Sequence, residues 1–125
     1  MKRESIAPKD GPPLGGPYSP IIRYGEIAFI SGQVAVDPTT GEAVRDSFEA
    51  ETHQMLRNLQ TQVEAAGSSM GKVLKTTVFL EDMENFALLN DIYIQYFPEP
   101  RPARSTIKAS PPGGYRVEVE AIIGF

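Results

Sequence analysis

Arg104 and a pair of nearby glutamates are of the types, and at the spacing, to handle a small organic acid. Arg104 lies within Pro102, Ala103, Arg104, Ser105, Thr106, Ile107, a run that reads as a strand. A guanidinium held on a rigid sheet can grip a carboxylate through two parallel hydrogen bonds and fix it in one pose. Further on, Val117, Glu118, Val119, Glu120, Ala121, Ile122, Ile123 alternates apolar and charged residues, the period of a half-buried strand, and puts Glu118 and Glu120 on one face. Pro111, Pro112, Gly113, Gly114 between the two runs is a turn signal. A chain that turns back beside itself here would set Arg104 and Thr106 near Glu118 and Glu120, one fixed cation beside a general base. The same residues also suit a surface lattice of ion pairs, worth about 0–1 kcal/mol per exposed pair.

The elements that must position these groups are legible in outline. Residues 1–15 carry Pro8, Pro12 and Pro13 with Gly11 and Gly15, a composition that disfavours helix and starves a core, and read as a flexible leader that becomes ordered around Tyr18. Pro20 to Val36 reads as a hairpin turning at Tyr24, Gly25, Glu26. Asp46 followed by Glu49 resembles a capping box, and Phe48, Thr52, Met55, Leu56, Leu59, Val63 and Ala66 follow at helical spacing until Gly67. Val73 to Leu80 is rich in β-branched residues, as strands are. Phe86, Leu89, Tyr93, Tyr96 and Phe97 mark a second helix that Pro98 and Pro100 stop. The order ββαβαββ predicts a single α+β domain over residues 16–125, one mixed sheet with both helices on one face. Apolar residues fall on both faces of several strands, as at Phe29 beside Ala28 and Ile30. A lone subunit would therefore expose a greasy sheet face, and self-association is the simplest remedy.

Composition narrows the class. The chain has 125 residues, a formal charge of −4 and no cysteine, which removes disulfides, thiolate nucleophiles and Cys-based zinc sites together. No long run of either charge points to nucleic acid or a membrane surface. No apolar run approaches the roughly 20 residues that span a bilayer, and no secretory signal is evident, so a cytoplasmic location is expected.

Several separated segments together resemble one family. In order they are Gly16, Pro17, Tyr18, Ser19; Ile30, Ser31, Gly32, Gln33; Asn58, Leu59; Ala65, Ala66, Gly67; Lys75 through Leu80; Asn85, Phe86, Ala87; Asn90; Tyr93; and the Pro102–Ser105 and Glu118–Ala121 runs. This combination, covering about everything after residue 15, resembles the RidA/YjgF/UK114 imine deaminases, also called the endoribonuclease L-PSP family. The resemblance implies a chorismate-mutase-like fold, a homotrimer with ligand clefts between subunits, and hydrolysis of 2-imino or enamine acids such as 2-iminobutanoate and 2-iminopropanoate, with no metal or cofactor. It assigns Arg104 to the substrate carboxylate and Glu118 to the water, with Glu120 the competitor on spacing alone. It places Tyr18, Ser31, Gly32, Asn90 and Thr106 around the substrate, Thr106 standing where many relatives carry cysteine.

Two other functions fit parts of the pattern. Some relatives are described as endoribonucleases that inhibit translation; here the single histidine, His53, reads as a surface helix residue, and the acidic balance offers no phosphate-binding field. A non-catalytic module that binds small carboxylates would use the same Arg104 grip.

Overall fold

The computed structural model describes residues 1–125. Its strands are β1 (Glu4–Ile6), β2 (Ile21–Tyr24), β3 (Ile27–Gln33), β4 (Val73–Leu80), β5 (Ala103–Lys108) and β6 (Val117–Gly124). Its helices are α1 (Phe48–Ala65) and α2 (Phe86–Tyr93). The six strands form one mixed sheet in the order β1-β2-β3-β6-β4-β5, in which only the β4–β5 pair is parallel.

Both helices cover one face. Met55, Leu56, Leu59 and Val63 of α1 and Leu89 and Ile92 of α2 join Ala28, Ile30, Val78, Val119, Ala121 and Ile123 of the sheet in one buried core. Each fully buried aliphatic side chain of this kind is worth about 1.5–3 kcal/mol over leaving it in water. On the opposite face the alternate residues stay bare: Ile27, Phe29 and Ile107 are exposed, and Ile22, Phe79 and Ile122 are only half-buried. The period-two pattern thus yields a wet apolar face as well as a dry one.

Four expectations are corrected. Residues 1–15 are not wholly a free leader, because Glu4–Ile6 pairs with Ile21–Arg23 of β2 and extends the sheet by one strand. A three-residue strand lacks the length for a periodic signal, so sequence offers nothing to find it by. The start of α1 is capped by Ser47, not by an Asp46–Glu49 box: Ser47 is extended, and its side chain accepts from the Ala50 amide. Helix α2 ends at Tyr93 and a tight turn carries the chain on to Phe97, which is still buried against the core. Most consequential, β5 and β6 are not neighbours, since β4 lies between them. Alternate residues of β4 and β6 are buried, whereas no residue of β5 is, so the first two occupy the interior of the sheet and β5 takes its edge.

Candidate functional site

The strand order separates the predicted residues into two clusters. Arg104 is in register with Thr76 of β4, itself opposite Ala121, and these lie on the helix-covered face. Glu118 is in register with Phe79, itself beside Ile107, on the open face. The structure does not bring Arg104 and Glu118 of one chain together: they occupy opposite faces of the sheet with a strand between them.

Around Arg104 the groups converge from β5 and α2. Its Nη2 donates to Asn90 Oδ1 at 2.8 Å. The guanidinium carbon stands 4.8 Å from the centre of the Tyr93 ring and 5.6 Å from that of Phe86, within reach of a cation–π attraction. Phe86, Asn90 and Tyr93 recur at i, i+4 and i+7, the spacing that aligns side chains along one side of a helix. Tyr93 is anchored in turn by a 2.7 Å hydrogen bond between its hydroxyl and that of buried Thr76. Burial pushes the Tyr93 phenol pKa up, offset in part by that bond and by the Arg104 charge, and the ring stays neutral. Thr106 lies two residues along β5 on the Arg104 face, and its buried hydroxyl has no partner on the protein.

The ion pairs of the chain join Arg23 to Glu26, Arg101 to Glu99 and Arg116 to Glu51; Arg104 belongs to none of them. The surface-lattice reading of Arg104 is therefore not what the structure contains. A half-buried guanidinium held by an amide oxygen and two ring faces keeps donors free for an anion from elsewhere.

The second cluster lines a cavity of about 660 Å³ whose wall includes Tyr18, Ser31, Gly32, Pro112, Glu118 and Glu120. The register of β3 shifts between Ile30 and Gln33, and the Glu118 carboxyl lies against the backbone at this irregularity. A Cβ on Gly32 would overlap Oε2 of Glu118 and come within 2.9 Å of its carboxyl carbon, so any larger residue here would push the Glu118 carboxyl from its place. Ser31 is not turned to the cavity by its hydroxyl, which donates to the Ser19 carbonyl at 2.7 Å; its amide donates to the Pro20 carbonyl at 2.9 Å. These bonds hold the Tyr18 segment across the cavity. Burial, and to a smaller extent the neighbouring charge of Glu120, raise the Glu118 pKa above the usual carboxylate range. Glu120 shares the cavity but is exposed.

Sequence reasoning passed over the aromatic walls at Phe86 and Tyr93, reading both as helix core, and took Pro112 and Gly113 for a turn alone. The i, i+4, i+7 spacing around Asn90 is the signal that could have tied the first two to it. His53 is half-buried rather than a plain surface residue, with Nδ1 2.7 Å from the Tyr96 hydroxyl. It lies beside Ser47, Ala50 and Arg57, apart from both clusters. No group of three or more His, Cys, Asp or Glu side chains is arranged to hold a metal ion, and no helix is long and apolar enough to cross a membrane.

Comparison with known proteins gives these clusters a context. The Endoribonuclease L-PSP family matches residues 9–124. A mouse protein named 2-iminobutanoate/2-iminopropanoate deaminase is 41% identical over 121 residues, 96% of this chain and 90% of its own. The crystal structure of RidA from an Antarctic Psychrobacter superposes with a TM-score of 0.94 at 35% identity, covering 98% of this chain and 100% of the other. That of E. coli TdcF with bound serine gives 0.92 at 34% identity, covering 98% of each.

Proposed function

Since the chain belongs to the RidA/YjgF family, whose fold it shares over nearly its whole length, we propose that it hydrolyses 2-imino acids to 2-keto acids and ammonia. Relatives named as imine deaminases support a deaminase-type hydrolase at the level of the family. The observation that carries the reading for this chain is the free guanidinium of Arg104, set between Asn90, Tyr93 and Phe86 with no carboxylate of its own. A relative that holds serine binds a ligand with the same carboxylate.

An imine carbon is already electrophilic, so the protein has to hold the acid, admit one water and move protons. Arg104 clamps the carboxylate. On an imine protonated at nitrogen, Glu118 takes a proton from the water as oxygen bonds to the C=N carbon and the C=N electron pair shifts to nitrogen, giving a neutral tetrahedral amino alcohol. That proton then passes to nitrogen, the C–N bond breaks as the hydroxyl oxygen closes to C=O, and the hydroxyl proton goes to the departing ammonia, so that the keto acid and ammonium leave and Glu118 is again ionised. A carboxyl with a raised pKa suits both transfers. Because the two clusters lie on opposite faces of one sheet, the reading includes a homotrimer in which Arg104 of one subunit faces Glu118 of its neighbour. Its bare apolar sheet faces would meet inside.

The test is an assay of ammonia and keto-acid release from imines generated in situ, wild type against Arg104→Lys. Lysine keeps the charge and loses the planar fork. A charge-assisted bond worth about 1.5–3 kcal/mol predicts a loss of roughly 10- to 150-fold in kcat/KM with the fold unchanged. Wild-type rates in the variant would remove the clamp. No imine turnover by wild type, together with tight binding of small carboxylates, would make the protein a binding module.

A further inference from the structure

Two buried amides belong to neither cluster. Gln33, at the end of β3, is 5% exposed and Gln62, on α1, is 2% exposed. The Oε1 atom of each has no hydrogen-bond partner on the protein. Both line a cavity of about 60 Å³ that Pro12, Pro13, Tyr18 and Gly32 also border. One water needs roughly 10–15 Å³ of such space and two to four polar partners. A buried carbonyl with no partner is costly, and an apolar side chain of similar length at position 62 would carry no such cost. The cavity has the volume for water, and two of the side chains that line it each carry a buried acceptor in need of a donor.

We propose that this cavity is a site for ordered water, which bridges the carbonyls of Gln33 and Gln62 and fastens segment 11–20 to α1. Gln33 and Gln62 are then positioning residues for Tyr18 and Ser31. At one end of the segment the backbone of Gly11 presses on α1, where an added Cβ would come within 3.0 Å of Gln62 Nε2. At the other end Gln33 Nε2 donates to the Ser31 carbonyl at 3.0 Å, and Ser31 in turn donates to the carbonyls of Ser19 and Pro20. Tyr18 is about half exposed, and its hydroxyl accepts one long bond of 3.3 Å from the Gly15 amide. The ring that borders the Glu118 cavity is therefore placed by the segment beneath it. Tyr18, Gly32 and Val34 border both cavities, so movement at the water site reaches the proposed imine site directly. That last consequence rests on the deaminase reading; the water site does not.

A high-resolution crystal structure of the wild-type protein, joined to study of Gln62→Met, tests the bridge. Methionine nearly matches glutamine in length and volume but offers no carbonyl. Water density within about 3.2 Å of both Oε1 atoms is expected. In the variant, amide exchange across Gly15–Ser19 should quicken by about tenfold or more, Tm should fall, and KM for the imine should rise with kcat within about twofold. A cavity dry in wild type overturns the proposal. So does a variant whose Tm rises while exchange at Gly15–Ser19 is unchanged, the result of deleting a carbonyl that never had a partner. Wild-type density answers the question even if the variant does not fold. Density and exchange are both read without turnover, so failure of the deaminase reading would leave them intact.

Discussion

At the scale of single residues, the proposed hydrolysis turns on which carboxylate handles the water. Glu118 and Glu120 are two apart on one strand face, and alternation treats them alike; the choice depends on what lies across the sheet, which a sequence does not display. The glycine at position 32 lets the Glu118 carboxyl settle on the backbone of β3, whereas Glu120 stays in water. A base works while ionised, so activity is present above its pKa and is lost as pH falls through it. With Glu118 raised chiefly by burial and secondarily by Glu120, the acid limb of kcat/KM should lie above the ordinary carboxylate range. Glu120→Gln removes the smaller cause and should move that limb to lower pH while leaving it above the ordinary range, measured from pH–rate profiles of the two proteins. A limb that does not move, or moves upward, would mean that Glu118 is not the titrating base. Arg104 and Asn90 were easier to single out. A lone arginine entering a strand, and an asparagine in the middle of an apolar helix, each stand against the local pattern.

At the scale of elements, the loop between β5 and β6 is where turn signals are too little to go on. Pro111 to Gly114 does bend the chain, and Gly113 and Gly114 have φ of 85° and 78°, the left-handed region that favours glycine. A turn nevertheless does not choose the strand's partner, and β6 passes beyond β4 because its buried alternation needs cover on both sides. What holds this loop is a set of long-range contacts that periodicity does not reveal. Arg45 donates to the carbonyls of Gly114 and Gly113 at 2.7 and 2.6 Å. Arg116 donates through Nε to the fully buried Glu51 at 2.7 Å, and its backbone amide donates to the other oxygen of that carboxylate. Removing one partner from a buried ion pair costs about 3–5 kcal/mol, and the partial exposure of Arg116 puts this case near the lower end. Arg116→Met should thus lower stability by about 3 kcal/mol. It should also loosen Pro112 and Gly113 at the rim of the Glu118 cavity. Urea unfolding measures the first effect and amide exchange of the loop the second. A loss under about 1 kcal/mol would show that the bond from the Arg116 amide alone satisfies Glu51.

At the scale of the whole molecule, one chain carries two clusters on opposite sheet faces and one uncovered sheet face, and the proposed trimer would join the first and cover the second. Apolar residues on both faces of the strands make the bare sheet face legible in the sequence; the separation of Arg104 from Glu118 is not, because it follows from strand order. If Arg104 and Glu118 act together only across a boundary between subunits, two inactive proteins can repair each other. Arg104→Ala and Glu118→Gln chains, unfolded together and refolded at equal ratio, would assemble at random into trimers, about three quarters of which contain both kinds. Around a closed ring every such mixed trimer has one junction where an intact Arg104 meets an intact Glu118. About a quarter of the wild-type turnover should return, since one site in three is restored in three quarters of the rings. Either variant refolded alone should stay near its own residual rate. Recovery should follow the mixing ratio and vanish when the pre-formed assemblies are combined without unfolding. Mixtures of correct size and proven subunit exchange that gain nothing would place both residues' work within one chain, and the opposed faces of the sheet would then forbid the mechanism.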